Sequence, residues 1–194
     1  LGTAGTGKSR TVRSFVGSRR RRARRVFQGE VQRAELAAHG RTGGKAAERL
    51  AEVQAKVEER VRNSCLLAAP TGCASFQLKF GASTLHRVFG VPVGYCGPWK
   101  NRSDGRYLKM KTRMDQARLF VFDEMSMVGR QMLGKIEFKV RDTLQSAEKR
   151  GGEDAMLAGR DAVMAGDPKQ APPLGDDPQY REGAYTGKGQ NKPK

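Results

Sequence analysis

Cysteine, histidine and tryptophan are all scarce in this chain, with three, two and one among 194 residues. Cys65, Cys73 and Cys96 make no C-x-x-C pair, and His39 and His86 show no paired spacing. Disulfide scaffolds and zinc modules are therefore not expected, and a reducing compartment is. No stretch approaches the roughly 18–20 consecutive apolar residues that a membrane-spanning helix needs. The first residues are rich in Gly and Thr and lack a basic start with an apolar run, so no secretory leader is expected among them. The chain opens on Leu1 instead of Met, which leads us to expect a piece of a longer protein. A core is affordable nonetheless. With glycine counted and tyrosine left out, about 47% of the residues are apolar, within the range of globular domains. At roughly 100–200 residues per domain, one domain is the natural expectation.

Acids are also in short supply. Against 37 Lys and Arg stand 20 Asp and Glu, a formal net charge of +17. Residues 10–25 hold eight arginines and no acid, and residues 97–119 hold seven Lys or Arg against Asp104 and Asp115. Such patches favour nucleic acid, because each phosphate contact releases counterions. The Arg19–Arg25 run also suits a solvated helix face or a nuclear-import signal.

Three short apolar runs end at loops bearing Gly, Pro or Asp. They are Cys65–Ala69, Leu119–Phe122 and Ala162–Ala165, and they read as buried strands of a parallel sheet. Helical stripes lie between them, at Val12, Phe15 and Val16 and at Leu133, Ile136, Val140 and Leu144. The alternation predicts an α/β domain with helices covering a parallel sheet. Residues 19–63 interrupt it with two charged helices, broken at Gly40 and Gly43-Gly44, that form an arm. From Asp176 onward the chain is polar and Gly-rich, which predicts a loop or linker.

The special loops follow the strands. Gly2-Thr3-Ala4-Gly5-Thr6-Gly7-Lys8-Ser9 fills every fixed position of G-x-x-x-x-G-K-[ST]. Its glycines let backbone N–H groups wrap a phosphate, Lys8 reaches the β- and γ-phosphates, and the Ser9 hydroxyl can ligate Mg²⁺. Asp123 and Glu124 close the second strand. The first suits Mg²⁺, the second suits polarising an attacking water, and a helix cap is the plainer alternative for either. Gly166-Asp167-Pro168-Lys169-Gln170 follows the third strand, where Gln170 can hydrogen-bond a γ-phosphate or the attacking water. By composition alone the same five residues are a turn.

Together these loops resemble the first RecA-like domain of Pif-family DNA helicases and their RecD-like relatives, of superfamily 1. The resemblance covers residues 1–18 and about 64–176. It is carried by the phosphate loop, by Ala69-Pro70-Thr71-Gly72-Cys73-Ala74-Ser75, and by Gly81-Ala82-Ser83-Thr84-Leu85-His86. Asp123-Glu124-Met125-Ser126-Met127-Val128 matches in full. Gly166 to Leu174 matches the family's G-D-x-x-Q-L-P-P-V with departures at Ala171 and Leu174. Ser75 departs from the pattern too, and Gly81 is followed by one extra residue. No guanine-selecting N-K-x-D is present.

The resemblance implies a RecA-like P-loop NTPase domain over residues 1–176, with 19–63 a helical insertion. Residues 177–194 would be a polar linker toward a second RecA-like domain missing from this chain. ATP and Mg²⁺ are the implied cofactors, with Gly2–Ser9 around the nucleotide and Ser9 and Asp123 on the metal. Lys8, Glu124 and Gln170 take the catalytic roles. Pro70, Thr71, Gly72, Thr84 and His86 would lie on the path of single-stranded DNA, whose backbone small residues and hydroxyls approach without reading bases. Trp99, Tyr95 and Tyr107 are candidates for base stacking, with packing the alternative for each. The implied activity is unwinding coupled to ATP hydrolysis and 5′→3′ translocation on single strands or junctions. It would serve repair, recombination or telomere maintenance in the nucleus or mitochondrion. Half a site predicts weak hydrolysis alone. A DNA-binding module without catalysis and a P-loop ATPase without unwinding are the competing readings.

Overall fold

The three apolar runs do form strands, and Ser83–Thr84 adds a short fourth. The computed structural model describes residues 7–39, 44–144 and 155–180. Its strands are β1 (Cys65–Ala69), β2 (Ser83–Thr84), β3 (Leu119–Phe122) and β4 (Asp161–Met164), in the order β2-β1-β3-β4. All pairs are parallel, with Cys65 opposite Leu119, Leu119 opposite Asp161 and Ala69 opposite Thr84. β4 lies one residue earlier than the apolar run suggests. The Ala165 N–H still donates to the Phe122 carbonyl at 2.8 Å, and beyond it the chain turns away at Gly166.

β1 and β3 are buried throughout, because both faces of the sheet are covered. Cys65, Leu67, Leu119 and Val121 pack on one face against Val12 and Val16 of α1 (Lys8–Ala38) and Leu78 of α3 (Gly72–Leu78). Leu66, Ala68, Phe120 and Phe122 point the other way. They meet α4 (Leu85–Phe89), α5 (Gly105–Gln116) and α6 (Arg130–Thr143) through residues such as Phe89, Met114 and Ile136. The Phe89 ring meets Phe120 edge-on at 5.2 Å and stacks on Phe122 at 5.5 Å, so one side chain locks α4 to two residues on the same face of β3. The period-2 alternation of the strands places this core directly.

The charged segment forms a helical hairpin, in which α1 pairs with α2 (Gly44–Asn63). α1 passes residue 19 unbroken and runs for 31 residues, so the helix behind the phosphate loop is itself the first half of the arm. Positions 40–43 of the expected break lie outside the described residues. Arginines hold the hairpin together. Arg24 donates to both Glu58 oxygens at 2.8 Å, and Arg60 bonds Glu30 at 2.7 Å while its guanidinium sits 4.0 Å over the Phe27 ring. Arg20 donates to the carbonyls of Phe80, Arg62 and Cys65, tying α1 to the start of β1.

The expected linker departs from its composition. Residues 176–180 are docked on the domain, while residues 181–194 lie outside the described residues. Gly129 caps α6 without a side chain, so Asp176 performs that task from 45 residues away. Its two carboxylate oxygens accept the Gln131 and Met132 N–H groups at 3.1 Å. A Cβ on Gly129 would stand 2.1 Å from that carboxyl. Replacing Asp176 with Ala should lower unfolding stability by about 1–2 kcal/mol, as loss of an N-cap does. Urea unfolding checks it, and an unchanged midpoint would show that the carboxylate is no cap.

Candidate functional site

Parallel strands all end at one edge, so the loops that follow them become neighbours. β1 runs into Pro70–Gly72, β2 into Leu85 and His86, β3 into Asp123 and Glu124, and β4 into Gly166 and Asp167. α1 starts there too. Gly7 adopts φ 79°, a left-handed value suited to glycine, and its carbonyl accepts the Thr11 N–H to begin the helix. Lys8 follows at once, near enough to Asp123 and Glu124 for its charge to act on both carboxyls. Ser9 sits in the same first turn. Positions 2–6 of the phosphate loop lie outside the described residues.

Glu124 is held in an unusual conformation, φ 51° and ψ 49°, the left-handed region that non-glycine residues seldom occupy. A 3₁₀ turn (Met125–Met127) follows, and the Met125 N–H donates to the Ala165 carbonyl at 2.9 Å. Gly166 makes the approach possible, since a Cβ there would lie 2.6 Å from the Met125 nitrogen. Met125 is clamped from the other side as well, because the Gln179 amide donates to its carbonyl at 3.1 Å.

The electrostatics follow from this crowding. Asp123 is only 5% exposed, and burial pushes its carboxyl above the ordinary range against the opposing pull of the Glu124 N–H and of Lys8. Glu124 is raised first by burial and then by the Asp123 charge; Lys8 opposes, and Asp167 adds a smaller push upward. A carboxylate raised in this way is a better proton acceptor, and a crowded acidic pair favours a cation between it and a phosphate.

The Gly166 loop is a turn in its backbone, as its composition suggests. Buried Asp167 accepts the Lys169 N–H on its side chain and the Gln170 N–H on its carbonyl, each at 3.0 Å. That turn carries half-buried Gln170 at the strand-end edge. The Tyr180 hydroxyl donates to the Pro168 carbonyl at 3.1 Å and so braces the turn from outside. Gln179 and Tyr180 carried no signal in the sequence.

The residues expected beside DNA divide by surroundings. The Thr71 hydroxyl oxygen caps α3 by accepting the Ala74 N–H at 3.2 Å, and Ser75 donates to the Gly72 carbonyl at 2.8 Å. Gly72 has open space around it, with nothing within 4 Å of where a Cβ would stand. Thr84 precedes α4 without capping it, and half-buried His86 lines a cleft between α4 and α5. Tyr107 is core, with its ring edge-on to Trp99. The Trp99 indole N–H donates to Thr143 at 2.9 Å. Packing therefore accounts for both, while Tyr95 is exposed. In the arginine run, Arg20 and Arg24 are internal ties and Arg19 pairs with Asp161 at 3.6 Å; Arg21, Arg22 and Arg25 face solvent.

A family model described as PIF1-like helicase matches residues 36–185. The chain belongs to the PIF1-like helicase family. No relative matches it among curated proteins. Among solved structures, Pif1 helicase from Bacteroides in complex with ADP-AlF3 and ssDNA is 32% identical, with a TM-score of 0.46 over 57% of this chain and 24% of that one. Bacteroides Pif1 bound to ssDNA is 29% identical, at 0.46 over 60% and 27%. Pif1 helicase from Candida albicans is 22% identical, at 0.44 over 63% and 26%. The chain thus spans about a quarter of the length of these proteins. Its parallel sheet between two helical layers is the RecA-like architecture of a PIF1-like helicase.

Nucleotide chemistry in such a domain implies Mg²⁺, and the residues present fit that ion. Asp123 offers one nearly buried carboxylate, and Ser9 offers a hydroxyl in the helix turn beside Lys8. Hard oxygen donors of this number, completed by phosphates and water, are what Mg²⁺ takes. Among the described residues no group of three or more His, Cys, Asp or Glu side chains could hold a metal unaided. Because the Asp123 carboxyl is raised, its contribution to stability is full below the unfolded value near 3.9 and is lost as pH rises through the folded value. Asp123→Asn should therefore melt higher than the wild type at pH 7 without divalent cation. The gap should close as pH falls toward 4. Thermal melts across that range check this, and a gap that does not vary with pH would contradict it.

Proposed function

We propose that this chain is the nucleotide-binding half of an ATP-dependent DNA helicase that translocates 5′ to 3′. The observation that supports it most is the meeting of Lys8, Asp123 and Glu124 at the edge where the Gly166 turn also lies. Lys8 and the N-terminus of α1 bind and neutralise the β- and γ-phosphates. Ser9 and Asp123 would hold Mg²⁺, which would supply positive charge to offset that of the phosphates. Glu124 orients a water and takes its proton as that water attacks in line. Gln170 hydrogen-bonds the γ-phosphate or the water and loses that bond once hydrolysis is complete. Pro70, Thr71, Gly72, Thr84 and His86 take the backbone of single-stranded DNA, on loops that leave the same edge of the sheet as the nucleotide site. Movement on one side of the sheet edge is thereby felt on the other.

In this reading a second RecA-like domain closes over the nucleotide, and residues 1–194 alone hydrolyse ATP weakly. DNA repair, recombination or telomere maintenance would be the setting. Titration of Mg²⁺–ATP into the chain by calorimetry tests the first step. Lys8→Ala should weaken binding by about 2–3 kcal/mol, the loss of charge-assisted hydrogen bonds. Equal affinities would overturn the assignment. In the full-length protein, Glu124→Gln should keep ATP binding and lose most turnover, since an amide preserves shape but accepts no proton. Steady-state hydrolysis within about twofold of wild type would remove Glu124 from the water-activating role.

A further inference from the structure

Three arginines gather where the nucleotide reading has no use for them. Arg62 ends α2, Arg87 lies on α4 and Arg113 on α5, and all three line one cleft of about 410 Å³. The cleft borders Cys65–Leu67, the opening half of β1, while the motif loops leave from its closing end. None of the three has an acid within ion-pair distance among the described residues. Arg20, which also faces the cleft, spends its donors on carbonyls. The acid lining it is Glu59. Burial, then the charges of Arg62 and Arg87, lower the pKa of Arg113, so the like charges press on one another. Arg62 and Arg87 are exposed and Arg113 is half-buried, so the cluster is open to an anion that would offset the repulsion among the three.

The cleft does not end there. Arg87 and Arg113 also line a second, larger cleft of about 1020 Å³ between α4 and α5, which carries Arg106, Lys109 and Lys100 and reaches His86. Its acid, Asp104, is occupied by Arg106 and by its own helix cap. A basic track therefore runs without interruption from His86, at the strand-end edge, down to Arg62 at the opposite end of the sheet.

We propose that this track is a second contact for the single strand of DNA, taking backbone phosphates beyond His86 on Arg87, Arg113 and Arg62. The inference rests on the DNA-binding reading above and extends its footprint down the side of the domain. Planar guanidiniums bind phosphodiester oxygens in forked pairs, and a phosphate between them relieves the mutual repulsion of the three. No base-reading geometry is involved, so binding through the track is sequence-tolerant.

Fluorescence anisotropy of labelled oligonucleotides over a salt series tests it, on the chain as it stands. Replacing Arg62, Arg87 and Arg113 together with Ser should reduce the log–log salt slope on a single strand by about 2, or about 0.7 per lost phosphate contact. The single variants Arg87→Gln and Arg113→Gln should each reduce it by about 0.7, which carries the test should the triple variant not fold. Arg113→Lys should keep the slope. Mg²⁺–ATP affinity should be unchanged in every variant, because the track lies away from Lys8 and Asp123. A wild-type slope that survives the substitutions overturns this inference and leaves the strand-end DNA path intact. A wild type that binds no DNA overturns the DNA reading itself. A slope lost on a blunt duplex but kept on single strands would give the cleft to duplex backbone and overturn the single-strand assignment.

Discussion

Gly166 brings the end of β4 against the peptide joining Glu124 to Met125, and the candidate site is built on that approach. The Met125–Ala165 hydrogen bond closes the gap between the two strand ends, and Glu124 takes up a left-handed backbone as the chain bends to make it. Both features would be unfavourable in a free loop. Here they persist because β3 and β4 are zipped in register just below and because Gln179 holds Met125 from above. The result is a carboxylate pair whose position is fixed by the sheet and not by its own flexible side chains. Such preorganisation is what in-line phosphoryl transfer asks of a protein.

Arginine does three different things in this chain, and total charge hides the division. Arg24 and Arg60 tie the two helices of the arm to each other and Arg20 ties the arm to the domain, each with two or more bonds to carbonyls or carboxylates. Arg21, Arg22 and Arg25 are solvated. Arg62, Arg87 and Arg113 come from three separate helices and line one cleft, in which Glu59 is the acid. In the last arrangement, like charges from separate elements press on one another, and an anion seated among them would offset that repulsion. A run of arginines in sequence is therefore a weaker guide to a partner than three of them from separate elements that share a cleft.

Much of this was legible beforehand. Full burial of β1 and β3 was readable because a two-sided sheet demands unbroken apolar runs, and Cys65–Ala69 and Leu119–Phe122 have them. Asp123 and Glu124 were readable because they sit where such a run stops. The short strand Ser83–Thr84 was invisible as a strand, since two polar residues carry no period. It exists because β1 offers an edge beside it. The continuity of α1 into the arm was masked by the arginine run, of which Arg24 meets its acid, Glu58, only once α2 folds back. Asp176, Gln179 and Tyr180 were read as linker because their partners, Gln131, Met125 and Pro168, lie as many as 54 residues away. Local composition reports on polarity and not on what a polar side chain will meet.

The central claim is that phosphates bind at the strand-end edge, where Lys8, Asp123 and Glu124 meet. Amide NMR shifts during titration with a non-hydrolysable ATP analogue and Mg²⁺ test it most directly, because they report location as well as affinity. The account predicts that the largest shifts fall on Gly7, Lys8, Ser9, Asp123, Glu124 and Gly166, with Arg62 and Arg113 little moved. Shifts centred on the arginine cleft, or none at saturating nucleotide, would contradict it.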